Sequence, residues 1–352
     1  MASEAEDILD LYDDGPHDAA VLCTLVELSG SGYRRPGARL IVVRDAAGIV
    51  RRAGMISGGC LEGDLCRRAF GLAATGPKVV AYDTREDAPV PAGFNTGCEG
   101  VVHVLVEQAT AAKLNETRHS IESNKASPEA LIYHGSDIGR RYTAADAPAW
   151  LELDEPDEPI SRVIADRRVL IDPHHPPRPL IVVGDGDDAR PLVDLAAAAG
   201  FRVWLCGRRP ALATSERFPR AHRVLCGGAD DLLLRLPLTP RSAAVLVTHD
   251  LAEDAAWLPP LLASTCGHVA LLGPKRRVAR VMADLHERGS LPETTSLKKL
   301  HAPAGLDLGG DGPQAVALSV LAGVQASLHE RDSRPLRDGS GPIHAAHREV
   351  EA

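Results

Sequence analysis

The sequence predicts an α/β protein of two domains, of which the second is a Rossmann-like domain with a parallel sheet. A chain of 352 residues is longer than a single hydrophobic core usually holds. Strand-like apolar runs alternate with helix patterns from residue 180 to residue 272, an order typical of parallel α/β sheets. The first of these runs leads through G-x-G-x-x-A, residues 184–189, into a helix pattern, as in dinucleotide-binding βαβ units.

The composition excludes several classes of partner. A net charge of -9 argues against a general binder of nucleic acid or of anionic membranes, and 3% aromatic residues leave few surfaces for base stacking. No apolar run approaches the roughly 20 residues of a membrane span, and the first residues are acidic where a signal peptide is basic. We therefore expect a cytoplasmic protein with no nucleic-acid or membrane partner.

The first half of the chain shows its elements in a clear order. A short helix precedes residue 18, a strand covers residues 20–28, and a hairpin covers residues 39–52. A helix then follows with Leu61, Leu65, Ala69 and Leu72 on its apolar face and Glu62 off it. Strands are predicted at residues 78–82 and 101–107.

The turn between this hairpin and the helix, Ile56-Ser57-Gly58-Gly59-Cys60, carries the first candidate site. Its glycines allow close approach of a ligand, and amides at a helix start favour an anion. Cys60 is expected in the first helical turn, where the helix end favours a thiolate. The preceding loop, residues 29–37, is expected to lie beside the turn and to bring arginines to it. The residues predicted to hold a phosphate are Ser57, Gly58, Gly59, Arg34, Arg35 and Arg39.

Seven cysteines without a C-x-x-C pair predict neither a disulfide framework nor a structural zinc site. Cys23, Cys66 and Cys206 lie within strand or helix patterns and are expected to be small core residues. Glycines flank both Cys60 and Cys98, which favours a shared site where thiolates face a metal or a transferred sulfur. The alternative is that the glycines serve the turns and the thiols fill small spaces.

Residues 111–178 are polar, acidic and marked by prolines, and are interpreted as a connecting region that ends in a linker. Within that linker, His174 and His175 are expected at the surface. The Rossmann-like domain is predicted over residues 179–330. Residues 331–352 are charged and are expected to form a mobile tail.

Two groups of residues in the second domain are candidates for ligand chemistry. Arg208 and Arg209 follow the second strand where an NAD site usually has an acidic residue, and either could accommodate the 2′-phosphate of NADP, so NADP is favoured over NAD. Asp185, Asp187 and Asp188 would repel a pyrophosphate, which leaves a Rossmann scaffold without nucleotide as the alternative. The predicted dinucleotide contacts are Gly184, Gly186, Ala189 and Arg208. His249 and Asp250 follow a later strand and are expected to form an acid/base pair, unless Asp250 caps the next helix.

Segments along nearly the whole chain, among them GMISGGCLEGDL, NTGCEGVVHVLVE, VTHDLAEDAAWLPPLL and VALLGPKRR, resemble the XdhC/CoxI family of maturation factors for molybdenum hydroxylases such as xanthine dehydrogenase. The resemblance implies an XdhC/CoxI-type α/β domain over residues 1–110. It also carries the family's two cysteines over to Cys60 and Cys98. The chain departs from the family pattern at Tyr33, Glu99 and Gly207, of which Gly207 bears most on nucleotide binding.

The resemblance further implies a non-enzymatic homodimer that binds molybdenum cofactor (molybdopterin), protects it during sulfuration by a cysteine desulfurase, and delivers it to an apo-molybdenum hydroxylase. The competing hypothesis is an NADP-dependent oxidoreductase with His249 as acid/base and Asp250 orienting it. A third is a scaffold that docks a hydroxylase and a sulfur donor without holding the cofactor.

Overall fold

The computed structural model describes residues 3–85 and 99–339, so Cys98 and residues 340–352 of the predicted tail lie outside the described residues. The chain divides into two compact units. The N-terminal unit contains Glu4–Pro176, and the C-terminal unit contains Pro177–Gly339. Within the described part of the chain, no helix combines the length and the apolar character needed to cross a membrane.

The N-terminal unit begins with a five-stranded antiparallel sheet. The elements are α1 (Glu4–Asp13), β1 (Ala19–Gly30), β2 (Arg39–Arg44), β3 (Val50–Gly54), α2 (Glu62–Ala73), β4 (Lys78–Asp83) and β5 (Gly100–Gln108), and the strand order is β3-β2-β1-β5-β4. Alternate residues of β2 face opposite sides: Leu40 and Val42 pack under α2, and Ile41 and Val43 pack with α1. Strand β3 lies at the sheet edge, and the chain continues from it into the turn of residues 57–60 and then into α2.

Residues 111–176, expected as a connecting region, form a second antiparallel sheet of the same unit. After a 3₁₀ turn come α3 (Asn115–Ser123), β6 (Glu129–His134), β7 (Arg141–Thr143), β8 (Ile160–Ile164) and β9 (Arg167–Asp172), in strand order β7-β6-β9-β8. Val26 and Leu105 of the first sheet pack against Leu131 and Leu170 of the second. The two sheets therefore share a core.

A buried network of charged groups lies within this unit and corrects one expectation. His174 is 6% exposed, not a surface residue of a linker. Its Nδ1 lies 2.9 Å from Thr117 Oγ1, and Arg39 Nη2 lies 3.3 Å from its Nε2. Arg39 also pairs with the buried Asp172 carboxylate at 2.7 Å. Burial raises the pKa of Asp172, but the neighbouring His174 and Arg39 outweigh this and hold it below its ordinary value.

The C-terminal unit confirms the predicted Rossmann-like domain. Its elements are β10 (Pro179–Val183), α4 (Ala189–Ala198), β11 (Arg202–Gly207), β12 (Arg223–Cys226), α5 (Ala229–Leu232), β13 (Ala243–Leu246), α6 (Leu251–Ala263), β14 (His268–Leu271), α7 (Lys275–Glu287), β15 (Leu300–His301) and α8 (Pro313–Leu328). The six strands are parallel, in the order β12-β11-β10-β13-β14-β15. This is the dinucleotide-binding order, in which the chain reverses direction across the sheet between β10 and β13. Helices α4 and α8 cover one face, and α6 and α7 cover the other.

Candidate functional site

The Ser57–Cys60 turn is held in place by Glu62, the first residue of α2. The Glu62 carboxylate accepts hydrogen bonds from the amides of Ile56 at 2.9 Å and Ser57 at 2.7 Å, and from the Ser57 hydroxyl at 2.5 Å. The Ser57 hydroxyl in turn accepts from the Leu61 amide at 2.9 Å. Burial raises the pKa of Glu62, but these hydrogen bonds outweigh burial and lower it below its ordinary value. Glu62, expected to project off the apolar face, is therefore a buried clamp, 1% exposed.

This clamp changes which amides of the turn are open to a ligand. The Ser57 amide, predicted to hold a phosphate, is already bonded to Glu62. The amides of Gly58, Gly59 and Cys60 donate to no acceptor among residues 3–85 and 99–339, and all three residues are exposed. Gly59 has φ +111°, a conformation that side chains disfavour. The open part of the turn is thus Gly58 to Cys60.

Cys60 presents an exposed thiol at this turn. It precedes α2, which begins at Glu62, so the expected place in the first helical turn is corrected. Its predicted partner Cys98 lies outside the described residues. Among the residues that the structure describes, no three His, Cys, Asp or Glu side chains gather closely enough to hold a metal ion. A shared Cys60–Cys98 site therefore stays a prediction.

The three predicted arginines do not gather around the turn. The loop does lie beside it, because a Cβ on Gly58 would be 3.6 Å from Tyr33 Cδ2. Arg34 Nη2 pairs with Glu4 Oε2 at 2.6 Å, and the other oxygen of Glu4 accepts from the Met55 amide at 2.9 Å. Arg34 is thus near the turn but engaged with a carboxylate.

Arg39 belongs to the buried pair with Asp172, so its assignment to a phosphate is corrected. Arg35 is half-buried, and burial lowers the pKa of its guanidinium while Glu158 opposes that shift. Arg35 lies in the loop and Arg39 begins β2, but their charged neighbours, Glu158 and Asp172, belong to the second sheet and the segment before it. These neighbours draw Arg39 and Arg35 toward the second sheet.

The second candidate site is a cleft of about 620 Å³ at the carboxyl ends of β10, β11 and β13. The glycines of the G-x-G-x-x-A fingerprint, residues 184–189, and Gly207 at the end of β11 allow neighbouring segments to approach closely. A Cβ on Gly184 would lie 2.5 Å from the Val247 carbonyl oxygen, and one on Gly207 would lie 2.7 Å from Asp185 Cβ. Ala189 is fully buried at the start of α4, as its place in the fingerprint requires.

The three aspartates of the fingerprint each have a cationic or imidazole partner. Asp185 is buried and pairs with Arg209, whose Nε lies 2.7 Å from Oδ1. Burial raises the pKa of Asp185, but the hydrogen bonds from Arg209 outweigh it, and the pKa lies below its ordinary value. Asp187 pairs with Arg217 at 2.6 Å, and Asp188 with His249 Nε2 at 2.7 Å.

The position of Asp188 bears directly on dinucleotide binding. A Cβ on Gly186 would lie 2.6 Å from Asp188 Oδ1. Gly186 is the second glycine of the fingerprint, the one whose missing side chain lets the backbone approach a pyrophosphate. The Asp188 carboxylate therefore lies where a pyrophosphate would pass. Arg208, predicted to accept a 2′-phosphate, is instead paired with Glu253.

His249 and Asp250 do not form the predicted pair. Asp250 Oδ1 accepts from the amides of Ala252 at 2.8 Å and Glu253 at 3.2 Å, which makes it the N-cap of α6. His249 has φ +58° and an exposed ring, and Asp188 is the residue that orients it. These two residues are 61 positions apart, so no local pattern in the sequence links them.

Comparisons with known proteins cover both units. Residues 16–83 match the model of the XdhC and CoxI family, and residues 180–324 match the XdhC Rossmann domain. A protein of Bacillus subtilis (strain 168) described as a probable xanthine dehydrogenase subunit is 29% identical over 326 residues, covering 87% of this chain and 92% of that protein. The molybdenum cofactor insertion chaperone PaoD of Escherichia coli (strain K12) is 25% identical over 327 residues, covering 91% and 87%. A crystal structure of a xanthine dehydrogenase from Bacillus halodurans is similar with a TM-score of 0.73 and 25% identity, over 95% of this chain and 98% of that one.

Proposed function

Because the chain belongs to the XdhC and CoxI family, we propose that it is a maturation factor that binds molybdenum cofactor as cargo and delivers it to an apo-molybdenum hydroxylase. Two relatives support this role by their names, one a molybdenum cofactor insertion chaperone and the other a probable subunit of xanthine dehydrogenase. Sulfuration of the bound cargo by a cysteine desulfurase, and a homodimeric assembly, belong to the same proposal.

The observation that carries the proposal is the Ser57–Cys60 turn. The cargo combines an anionic phosphate with a metal centre that has soft sulfur ligands. The amides of Gly58, Gly59 and Cys60, unpaired within the described chain, suit the anion, and the exposed thiol of Cys60 suits the metal or a transferred sulfur. Because Glu62 fixes the backbone of Ile56 and Ser57, the turn needs little reorganisation on binding.

Pterin analysis after co-expression with cofactor synthesis tests the proposal. The purified protein is denatured, and the released pterin is oxidised and quantified by fluorescence. We expect pterin in the unaltered protein and at least about a tenfold loss in Cys60→Ser, equivalent to about 1.4 kcal/mol of binding free energy. The matched control is Cys226→Ser, which removes an exposed thiol of the C-terminal unit and should keep the pterin content.

Two outcomes would contradict the proposal. Absence of pterin from the unaltered protein would remove the cargo role, and capture of an apo-hydroxylase by that pterin-free protein would favour the scaffold instead. Equal pterin in Cys60→Ser and the unaltered protein would remove the role of the thiol.

The NADP-dependent oxidoreductase has less support, since Arg208 pairs with Glu253 and Asp250 caps a helix.

A further inference from the structure

A cleft of about 370 Å³ lies between the edge strand β3 and the first half of α2. The residues that line it are Val50, Arg51, Arg52, Gly59, Glu62, Gly63 and Cys66. Gly59 belongs to both this cleft and the Ser57–Cys60 turn. The cleft therefore continues the site proposed for the cargo.

The two arginines of β3 face opposite sides of the sheet. Arg52 pairs in register with Val42, whose side chain packs under α2. Arg51 pairs in register with Val43, whose side chain packs with α1, and its Nη1 lies 2.6 Å from Asp14 Oδ2. Arg51 also lines the cleft, but its guanidinium is paired with the Asp14 carboxylate on the α1 side, whereas the Arg52 side chain lies on the side of α2.

Arg52 has no carboxylate partner in the described ranges 3–85 and 99–339. Its guanidinium interacts with the thiol of Cys66, where burial raises the thiol pKa and Arg52 opposes the shift. The Glu62 carboxylate also lines the cleft, but its oxygens accept hydrogen bonds from Ile56 and Ser57. The Arg52 guanidinium is therefore available to bind an anion in the cleft.

The floor of the cleft is open because residue 63 is a glycine. Glycine within a helix is destabilising relative to alanine, and its use is to allow close approach to the backbone. A Cβ on Gly63 would have a single neighbour within 4 Å in the described chain, Arg67 Nη1 at 3.8 Å, so packing there does not require the glycine. A methyl group at this position would instead occupy the cleft.

We propose that this cleft binds the phosphate of the cargo between the Arg52 guanidinium and the Gly59 amide, with Cys66 beside it. The inference rests on the proposed function and specifies which residues hold the anionic end of the pterin. It replaces the predicted arginine set, because Arg34 pairs with Glu4 and Arg39 pairs with Asp172. The third member, Arg35, is half-buried and has Glu158 as its charged neighbour. The phosphate end then lies next to the turn that presents Cys60.

Matched substitutions on β3 test the role of charge. Arg52→Gln and Arg51→Gln each remove one positive charge from neighbouring positions of the same strand. We expect at least about a tenfold loss of co-purified pterin in Arg52→Gln and less than about a twofold change in Arg51→Gln. Retention of pterin by Arg52→Gln, or an equal loss in both variants, would overturn the inference.

Matched substitutions on α2 test the role of space without loss of folding. Gly63→Ala and Gly71→Ala each replace a helical glycine by a better helix former, so both variants should unfold at temperatures equal to or above that of the unaltered protein. A Cβ added to Gly71 would have no described atom within 4 Å, and Gly71 does not line the cleft. We expect Gly63→Ala to lose pterin at least about tenfold and Gly71→Ala to keep it. A Gly63→Ala variant that stays folded and keeps its pterin would overturn the inference.

A readout without pterin separates this inference from the cargo proposal. Inorganic phosphate at increasing concentration should slow alkylation of Cys66, followed by mass spectrometry, in the unaltered protein and in Arg51→Gln but not in Arg52→Gln. Protection without co-purified pterin would support the anion site while contradicting the cargo role. Pterin bound normally by Arg52→Gln, with no protection by phosphate in any variant, would contradict the anion site alone.

Discussion

The clamp at the Ser57–Cys60 turn gives the sharpest prediction, for the substitution Glu62→Gln. The side chain is 1% exposed and its carboxylate accepts three hydrogen bonds, two from amides and one from a hydroxyl. Glutamine keeps the shape but has one acceptor oxygen and no charge. Its amide nitrogen would face the Ser57 hydroxyl, which would have to accept from the amide instead of donating to a carboxylate.

The expected loss follows from the difference between charged and neutral acceptors. Hydrogen bonds to charged groups contribute about 1 kcal/mol more than neutral ones, so three of them predict a loss of about 3 kcal/mol in local stability. The matched control is Glu4→Gln. Glu4 also accepts from an amide, that of Met55 just before the turn, but its side chain is 37% exposed. An exposed pair of this kind is expected to contribute less than about 1 kcal/mol.

Hydrogen exchange of residues 54–62, read by mass spectrometry, reports the stability of the turn directly. The pKa of Glu62 is lowered in the folded chain, so the unfolded chain binds its proton first as the pH falls. The stabilisation is therefore present above the ordinary carboxyl pKa of 4.5 and is lost as the pH falls through the folded pKa. Protection that is equal in Glu62→Gln and Glu4→Gln, or that does not change on acidification, would refute the clamp.

Two further predictions concern the C-terminal unit. Because the Asp188 carboxylate lies beside Gly186, a fluorescence titration with NADPH should show no saturable binding up to about 1 mM. Micromolar binding that is lost in Arg208→Glu would instead support the oxidoreductase. Burial and the stacked ring of His301 lower the pKa of His268 to about 3. As the pH falls, the unfolded chain therefore takes up a proton at this histidine before the folded chain does. The free energy of unfolding should fall by up to about 1.4 kcal/mol per pH unit from pH 6 to pH 4. Urea unfolding should show this slope flattened in His268→Leu, and an unchanged slope would contradict the assignment to His268.

Much of the fold could be predicted because its signals are local. The alternation of strand-like runs and helix patterns in residues 180–272 specified a parallel sheet, and the six-stranded order confirms the Rossmann-like domain. The hairpin and the helix after Cys60 were likewise visible in the period of their apolar residues. The second sheet of the N-terminal unit was harder to find, because its short strands lie in a polar, proline-marked region.

The sequence by itself determined the architecture of the second domain and the glycine-rich turn that presents Cys60. Only the tertiary structure decided which charged groups are free to bind a ligand. Arg39 is engaged by Asp172, Asp188 by His249 and Arg208 by Glu253, while Arg52 faces an open cleft. The physical reason is that hydrophobic periodicity reports which face of an element is buried, whereas charge pairing depends on contacts between residues far apart in the chain.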